Sequence, residues 1–189
     1  MPASTTGFRS LAPERVTFDG WRGLPDNCAA AAGGGPGSPG ICGRLAGKDW
    51  TYIPTTRRVV ALTFDAGANA DAVPSILATL RREGVPATFF LTGNFVRDFP
   101  AAARSIAAAG VRIGDHTITH PYLTQLSDTA VQHEITGGAQ QIISVTGQNP
   151  APLFRFPYGD ADARTIAIVA VSTPFGPTFS GGEGGAISE

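Results

Sequence analysis

A chain of 189 residues with 42% hydrophobic and 15% charged side chains is sized for one packed domain plus an irregular extension, and this composition excludes wholesale disorder. Fourteen basic against fifteen acidic residues leave a formal charge of -1, which excludes the electrostatic footprint of a nucleic-acid binder and the polybasic face of a membrane-surface protein. No apolar run approaches the roughly 18 residues that a membrane-spanning helix requires.

Residues 1–5 lack a basic stretch followed by an apolar one, so no export leader is expected there. Residues 1–57 carry scattered hydrophobics without a sustained period and are expected to form an irregular extension, with Trp21, Trp50 and Tyr52 available to dock it. Residues 29–40 are low-complexity Ala, Gly, Ser and Pro, the composition of a flexible linker or loop. Cys28 and Cys42 flank that stretch. They are either a disulfide closing the loop, worth about 3 kcal/mol by loop entropy, or two separate thiols; without a nearby histidine they are not a metal site.

Residues 58–171 read as strand and helix in alternation. Val59, Val60, Ala61, Leu62 and Phe64 form a β-branched and apolar run that drives into Asp65, Ala66 and Gly67, as expected of a strand covered on both faces. Val73, Ile76, Leu77 and Leu80 then mark one face of a helix, and Gly84 ends it. A second apolar strand is expected over residues 87–93. Pro100 suits the first turn of an alanine-rich helix that Gly110 closes. A short third strand at 111–114 leads into Asp115 and His116. Ser127 is placed to cap a third helix that turns Val131, Ile135 and Ile142 inward, weakened by Gly137 and Gly138 at roughly 1 kcal/mol each. Residues 152–157 read as a fourth strand and 162–171 as a fourth helix. Four such units argue for a parallel α/β sheet with right-handed crossovers, either open or part of a barrel. An unclosed set leaves a strand edge and apolar helix faces exposed, so poor solubility is expected unless a partner chain covers them. Residues 172–189 are an irregular tail rich in Gly, Ser and Pro.

Polar groups stand at three of the strand ends, where α/β folds build their sites: Asp65, the pair His116 and His120, and Arg155 with Tyr158. Two histidines four apart converge on one cation from a helical turn or a bend. Neutral imidazole suits zinc, nickel, cobalt or iron, and a nearby carboxylate completes a facial set with positions open for water and substrate. Taken singly these residues have plainer readings, as loop histidines, a helix-capping aspartate and a surface arginine. Their joint placement is what points to a site. His133, inside the third helix, reads as a solvated side chain. A different metal hydrolase on an open sheet would instead draw a carboxylate ligand from Asp160 or Asp162.

TFDAG at 63–67, HTITH at 116–120 with Gly114 and Asp115 before it, and RFPYG at 155–159 resemble the first three motifs of the NodB-type polysaccharide deacetylases, carbohydrate esterase family 4, in order, spacing and strand context. The resemblance covers about residues 58–170. It implies a distorted (β/α) barrel, here partial with about four βα units. It also implies metal-dependent removal of acetyl groups from an N-acetylhexosamine polymer such as peptidoglycan or chitin. It assigns Asp65 as general base, Arg155 as the residue that orients it, and His116 and His120 as ligands of a divalent metal, zinc first, with cobalt or nickel as alternatives. Pro157 and Tyr158 fall to substrate binding, with the backbone at Tyr158 facing the oxyanion. Relatives act in or outside the cell envelope, whereas no leader is read here, so location stays open.

Two departures from the family pattern stand out. The family's second aspartate, a metal ligand, is Ala66 here; Asn69, Asp71 or water would have to replace it. No histidine follows His133, although the family uses a late histidine as general acid, so a truncated chain is expected. The competing expectation is therefore an inert fragment with at most glycan binding.

Overall fold

The computed structural model describes Asp49 and residues 60–172. The expected docking of Trp21, Trp50 and Tyr52, the Cys28–Cys42 pairing and the tail beyond Ser172 lie outside the described residues. The first strand, β1 (Thr63–Ala66), begins four residues later than the start of its apolar run. It pairs in parallel with β2 (Thr88–Leu91), and β2 pairs in parallel with β3 (Arg112–Asp115), in sheet order β1-β2-β3. The register sets Asp65 against Phe90 and Leu91 against Asp115, so the polar residues gather at the carboxyl ends of the strands.

Helix α1 (Val73–Glu83) buries Val73, Leu77 and Leu80 on the sheet, while Ile76 is half-buried. Gly84 ends it in the left-handed conformation, φ 62°. The second strand stops earlier than its apolar run suggests. Thr92 leaves the ladder to cap a helix absent from the sequence reading, α2 (Gly93–Asp98), its hydroxyl accepting from the Phe95 amide at 3.0 Å. Pro100 opens α3 (Pro100–Ala108) as expected. Ser127 caps α4 (Asp128–Thr146), whose Val131, Ile135 and Ile142 are fully buried.

The fourth expected strand is reduced to a single parallel bridge between Asp115 and Phe154. Two bonds make it: the Asp115 amide donates to the Leu153 carbonyl at 2.9 Å, and the Arg155 amide donates to the Asp115 carbonyl at 3.0 Å. On one side Pro157 carries no amide hydrogen to continue the ladder, and on the other the Leu153 amide donates to the Pro150 carbonyl at 3.1 Å instead. The bridge still delivers Arg155 to the rim. Helix α5 (Ala163–Ser172) follows, and Ile168 and Val169 join Phe154, Phe156, Val131 and Ile135 in a second core cluster beside the one under the sheet.

Close packing beneath the rim depends on Gly114. A Cβ there would lie 2.5 Å from ring atoms of Phe90 and 3.1 Å from the Leu153 Cβ, and both side chains are held in the core. Gly114→Ala is expected to lower stability by about 1–3 kcal/mol through overpacking, read as a reduced urea midpoint at unchanged slope.

Candidate active site

Each polar residue at the rim owes its position to a different element. Asp65 is the third residue of β1, His116 follows β3 directly, and Arg155 follows the Phe154 bridge. Arg155 is 6% exposed, and its Nη1 donates to Asp65 Oδ1 at 2.7 Å while Nη2 donates to Thr63 Oγ1 at 3.1 Å. Its guanidinium lies over the Phe90 ring, 4.3 Å from the centroid, where the aromatic face favours a cation. Asp65 Oδ2 remains on the other side of the carboxylate, 3.9 Å from His116 Nε2. Burial raises the Asp65 pKa, and the attraction and hydrogen bond of Arg155, with a smaller contribution from His120, only partly offset it. Arg155 thus opposes the shift but is outweighed by desolvation, which leaves a more basic carboxylate.

His116 lies in the interior. Its Nδ1 sits 2.8 Å from the Arg155 carbonyl oxygen; because a carbonyl only accepts, Nδ1 carries the proton and Nε2 keeps its lone pair. Burial lowers its pKa to about 3, against a smaller raising effect from that carbonyl. The sign for stability follows. The unfolded chain takes a proton near 6.5 that the folded chain refuses until about 3, so stability contributed by His116 is lost as pH falls through that window. The metal-free protein is expected to show a falling urea midpoint from pH 7 to 4.5, with a flatter profile in His116→Gln. Identical profiles would place that imidazole in solvent.

His120 stands edge-on to His116, ring centroids 4.6 Å apart, and edge-on to Tyr158 at 4.4 Å. Tyr158 in turn stacks on Tyr122, centroids 4.1 Å apart, and each tyrosine is 47% exposed. Pro157 is buried in a 3-10 turn (Pro157–Gly159), and Tyr158 within it has φ 58°. Thr117 and His120 also have positive φ, 71° and 61°. Backbone of this kind costs about 1–3 kcal/mol per residue and persists where the surroundings over-determine it.

The donor set fits a metal ion in part. Two imidazoles converge, one held neutral with Nε2 unprotonated, which is the ligating state. Among the described residues no three His, Cys, Asp or Glu side chains gather into a metal cage. Ala66 offers a methyl group, Asn69 turns its side-chain oxygen to the Asp71 amide at 3.1 Å, and Asp71 is exposed, so water is left to complete the coordination. Asp160 accepts from the Thr124 amide and hydroxyl, and Asp162 accepts from the Thr165 amide and hydroxyl at the start of α5. Both carboxylates are engaged by hydrogen bonds of the turn and the helix start.

The profile of the family described as polysaccharide deacetylase matches residues 52–172, well over half of the chain. The chain belongs to the polysaccharide deacetylase family. A chitooligosaccharide deacetylase of Rhizobium leguminosarum bv. trifolii is 41% identical over 91 residues, covering 48% of this chain and 42% of that one. A peptidoglycan-N-acetylglucosamine deacetylase of Bacillus cereus is 36% identical over 107 residues, covering 57% and 38%. Among solved structures, wild-type BA3943 of Bacillus anthracis, described as a CE4 family pseudoenzyme, superposes with TM-score 0.62 at 27% identity over 66% of this chain and 43% of that one. The chain spans about half the length of the curated relatives it matches.

Further residues of this polysaccharide deacetylase domain buttress the histidine loop. Asp115, fully buried, accepts from the Thr117 amide at 3.1 Å through Oδ1, and burial pushes its carboxyl well above the usual range. Glu134 of α4 accepts from the amides of Ile118 and Thr119 and from the Thr119 hydroxyl, each at 2.9 Å. Gly137 and Gly138, read from sequence as weak points of a helix, are where the histidine loop lies against α4. A Cβ at Gly138 would meet Asp115 Oδ1 at 2.5 Å and the Thr117 backbone at 2.9 Å, and one at Gly137 would meet Ile118 Cδ1 at 2.4 Å.

Proposed function

We propose that this domain hydrolyses acetyl groups from an N-acetylhexosamine polymer of the chitin or peptidoglycan type. The observation that carries the proposal is the convergence of Asp65, Arg155, His116 and His120, up to 90 positions apart in sequence, on one rim of the sheet. His116, through Nε2, and His120 would hold a divalent metal, zinc by the preference of imidazole donors, with cobalt or nickel as substitutes. Such an ion, when bound, lowers the pKa of a water and polarises the acetyl carbonyl.

The chain's own residues supply the rest. Arg155 engages Oδ1 of Asp65 and fixes the carboxylate plane, which leaves Oδ2 to accept a proton from an attacking water. Desolvation makes that oxygen a stronger base than an exposed aspartate. The Tyr158 ring stands edge-on to His120, and a backbone N–H of its turn would meet charge on the tetrahedral oxygen.

A second reading, an inert domain that keeps glycan binding, draws support from two observations. Ala66 gives the metal no donor, and the superposed BA3943 is itself described as a pseudoenzyme. Acetate release from a chitooligosaccharide by the purified protein with added zinc or cobalt separates the two. Turnover above the metal-only control is expected, and its absence together with retained glycan binding selects the inert reading.

A further inference from the structure

We propose that Glu134 is a positioning residue that holds the second imidazole of the site in place. The loop 117–120 is bent sharply enough to give Thr117 and His120 positive φ, and Thr117 is β-branched, for which that conformation is a genuine outlier. Several contacts impose the bend. The amides of Gly93 and Asn94, at the start of α2, donate to the carbonyls of Thr117 and Ile118 at 2.8 and 2.9 Å. Asp115 takes the Thr117 amide, and the Thr117 hydroxyl takes the His120 amide at 3.0 Å.

Between these anchors lies the apex, Ile118 and Thr119, and the carboxylate of Glu134 gathers both of its amides and the Thr119 hydroxyl. The two imidazoles differ in what holds them. His116 follows β3 directly and is pinned by the Arg155 carbonyl. His120 lies one residue beyond the apex, so its direction follows the apex that Glu134 holds. Glu134 is only half-buried and belongs to neither core cluster, so its role is separable from the stability of the fold.

Both amides reach the same oxygen, Oε2, so Glu134→Gln can keep them on its remaining oxygen and loses the acceptor of the Thr119 hydroxyl, whereas Glu134→Ala removes all three bonds. Amide exchange read residue by residue is the direct test and needs no metal. Faster exchange at Ile118 and Thr119 is expected in Glu134→Ala, with Glu134→Gln closer to the unsubstituted protein and the amides of Phe89 and Phe90 as slow as before in both. Unchanged exchange at 118 and 119 in Glu134→Ala overturns the proposal, and general acceleration would show a structural role instead. A second measurement, resting on the metal reading above, titrates cobalt alone into each protein. Affinity is expected to fall about 10- to 100-fold in Glu134→Ala relative to the unsubstituted protein, the usual effect of losing an outer support of a metal ligand. Equal affinity overturns the positioning role, whereas an unsubstituted protein that binds no cobalt overturns the metal reading and leaves the exchange result to decide on Glu134.

Discussion

Asp65→Asn is expected to reduce acetate release by about 100- to 10,000-fold, the usual contribution of a positioned general base. The substitution is almost isosteric. Its side-chain oxygen can still accept from Arg155, so the pair that organises the rim is kept in outline while the proton acceptor is lost. The measurement is initial rate on a chitooligosaccharide at saturating zinc, with the unfolding midpoint followed in parallel. Unchanged turnover would reject Asp65 as the base. A collapsed midpoint would mean that the charge, rather than the proton, is what the fold requires.

Arg155→Met tests the same pair from the other side, with a larger structural effect. Methionine keeps an apolar stem over Phe90 but removes the bonds to Asp65 and Thr63. Removing one partner of a buried pair leaves the other charge uncompensated, at a cost of about 3 kcal/mol. That is the low end of the usual range, because the Asp65 side chain keeps 21% exposure. The pH dependence has a definite sign. Burial already raises the Asp65 pKa, and Arg155 is its main opponent. Without the arginine the carboxylate binds its proton more tightly, so the acid limb of any residual activity moves to higher pH. An acid limb that stays in place would show that Asp65 does not titrate in catalysis.

Most of the rim was legible in the sequence, for reasons that can be named. Val73, Leu77 and Leu80 at helical spacing, Gly84 as a left-handed stop, and Ser127 as a cap act within a few residues of themselves, so local pattern is enough to find them. Asp65, His116 and Arg155 each follow an apolar or proline-bounded run, and a parallel sheet leaves such residues little choice but its carboxyl edge. Other features were hidden. The fourth strand shrank to one bridge because Pro157 withholds a donor and the Leu153 amide turns to the Pro150 carbonyl, and α2 arose because Thr92 turned from strand residue to cap. Glu134 looked like any exposed helix carboxylate, since its partners lie 15 and 16 residues upstream on a loop whose bend no periodicity encodes.

By itself, then, the sequence determined which side chains reach the strand ends and in what order, because hydrophobic period and turn residues are properties of short stretches. Only the tertiary structure decided their chemical state: the tautomer of His116, the net upward shift of Asp65, and the convergence of His120 on its partner. Those depend on burial and on donors brought in from as far as 90 residues away, and neither exists until the chain has packed.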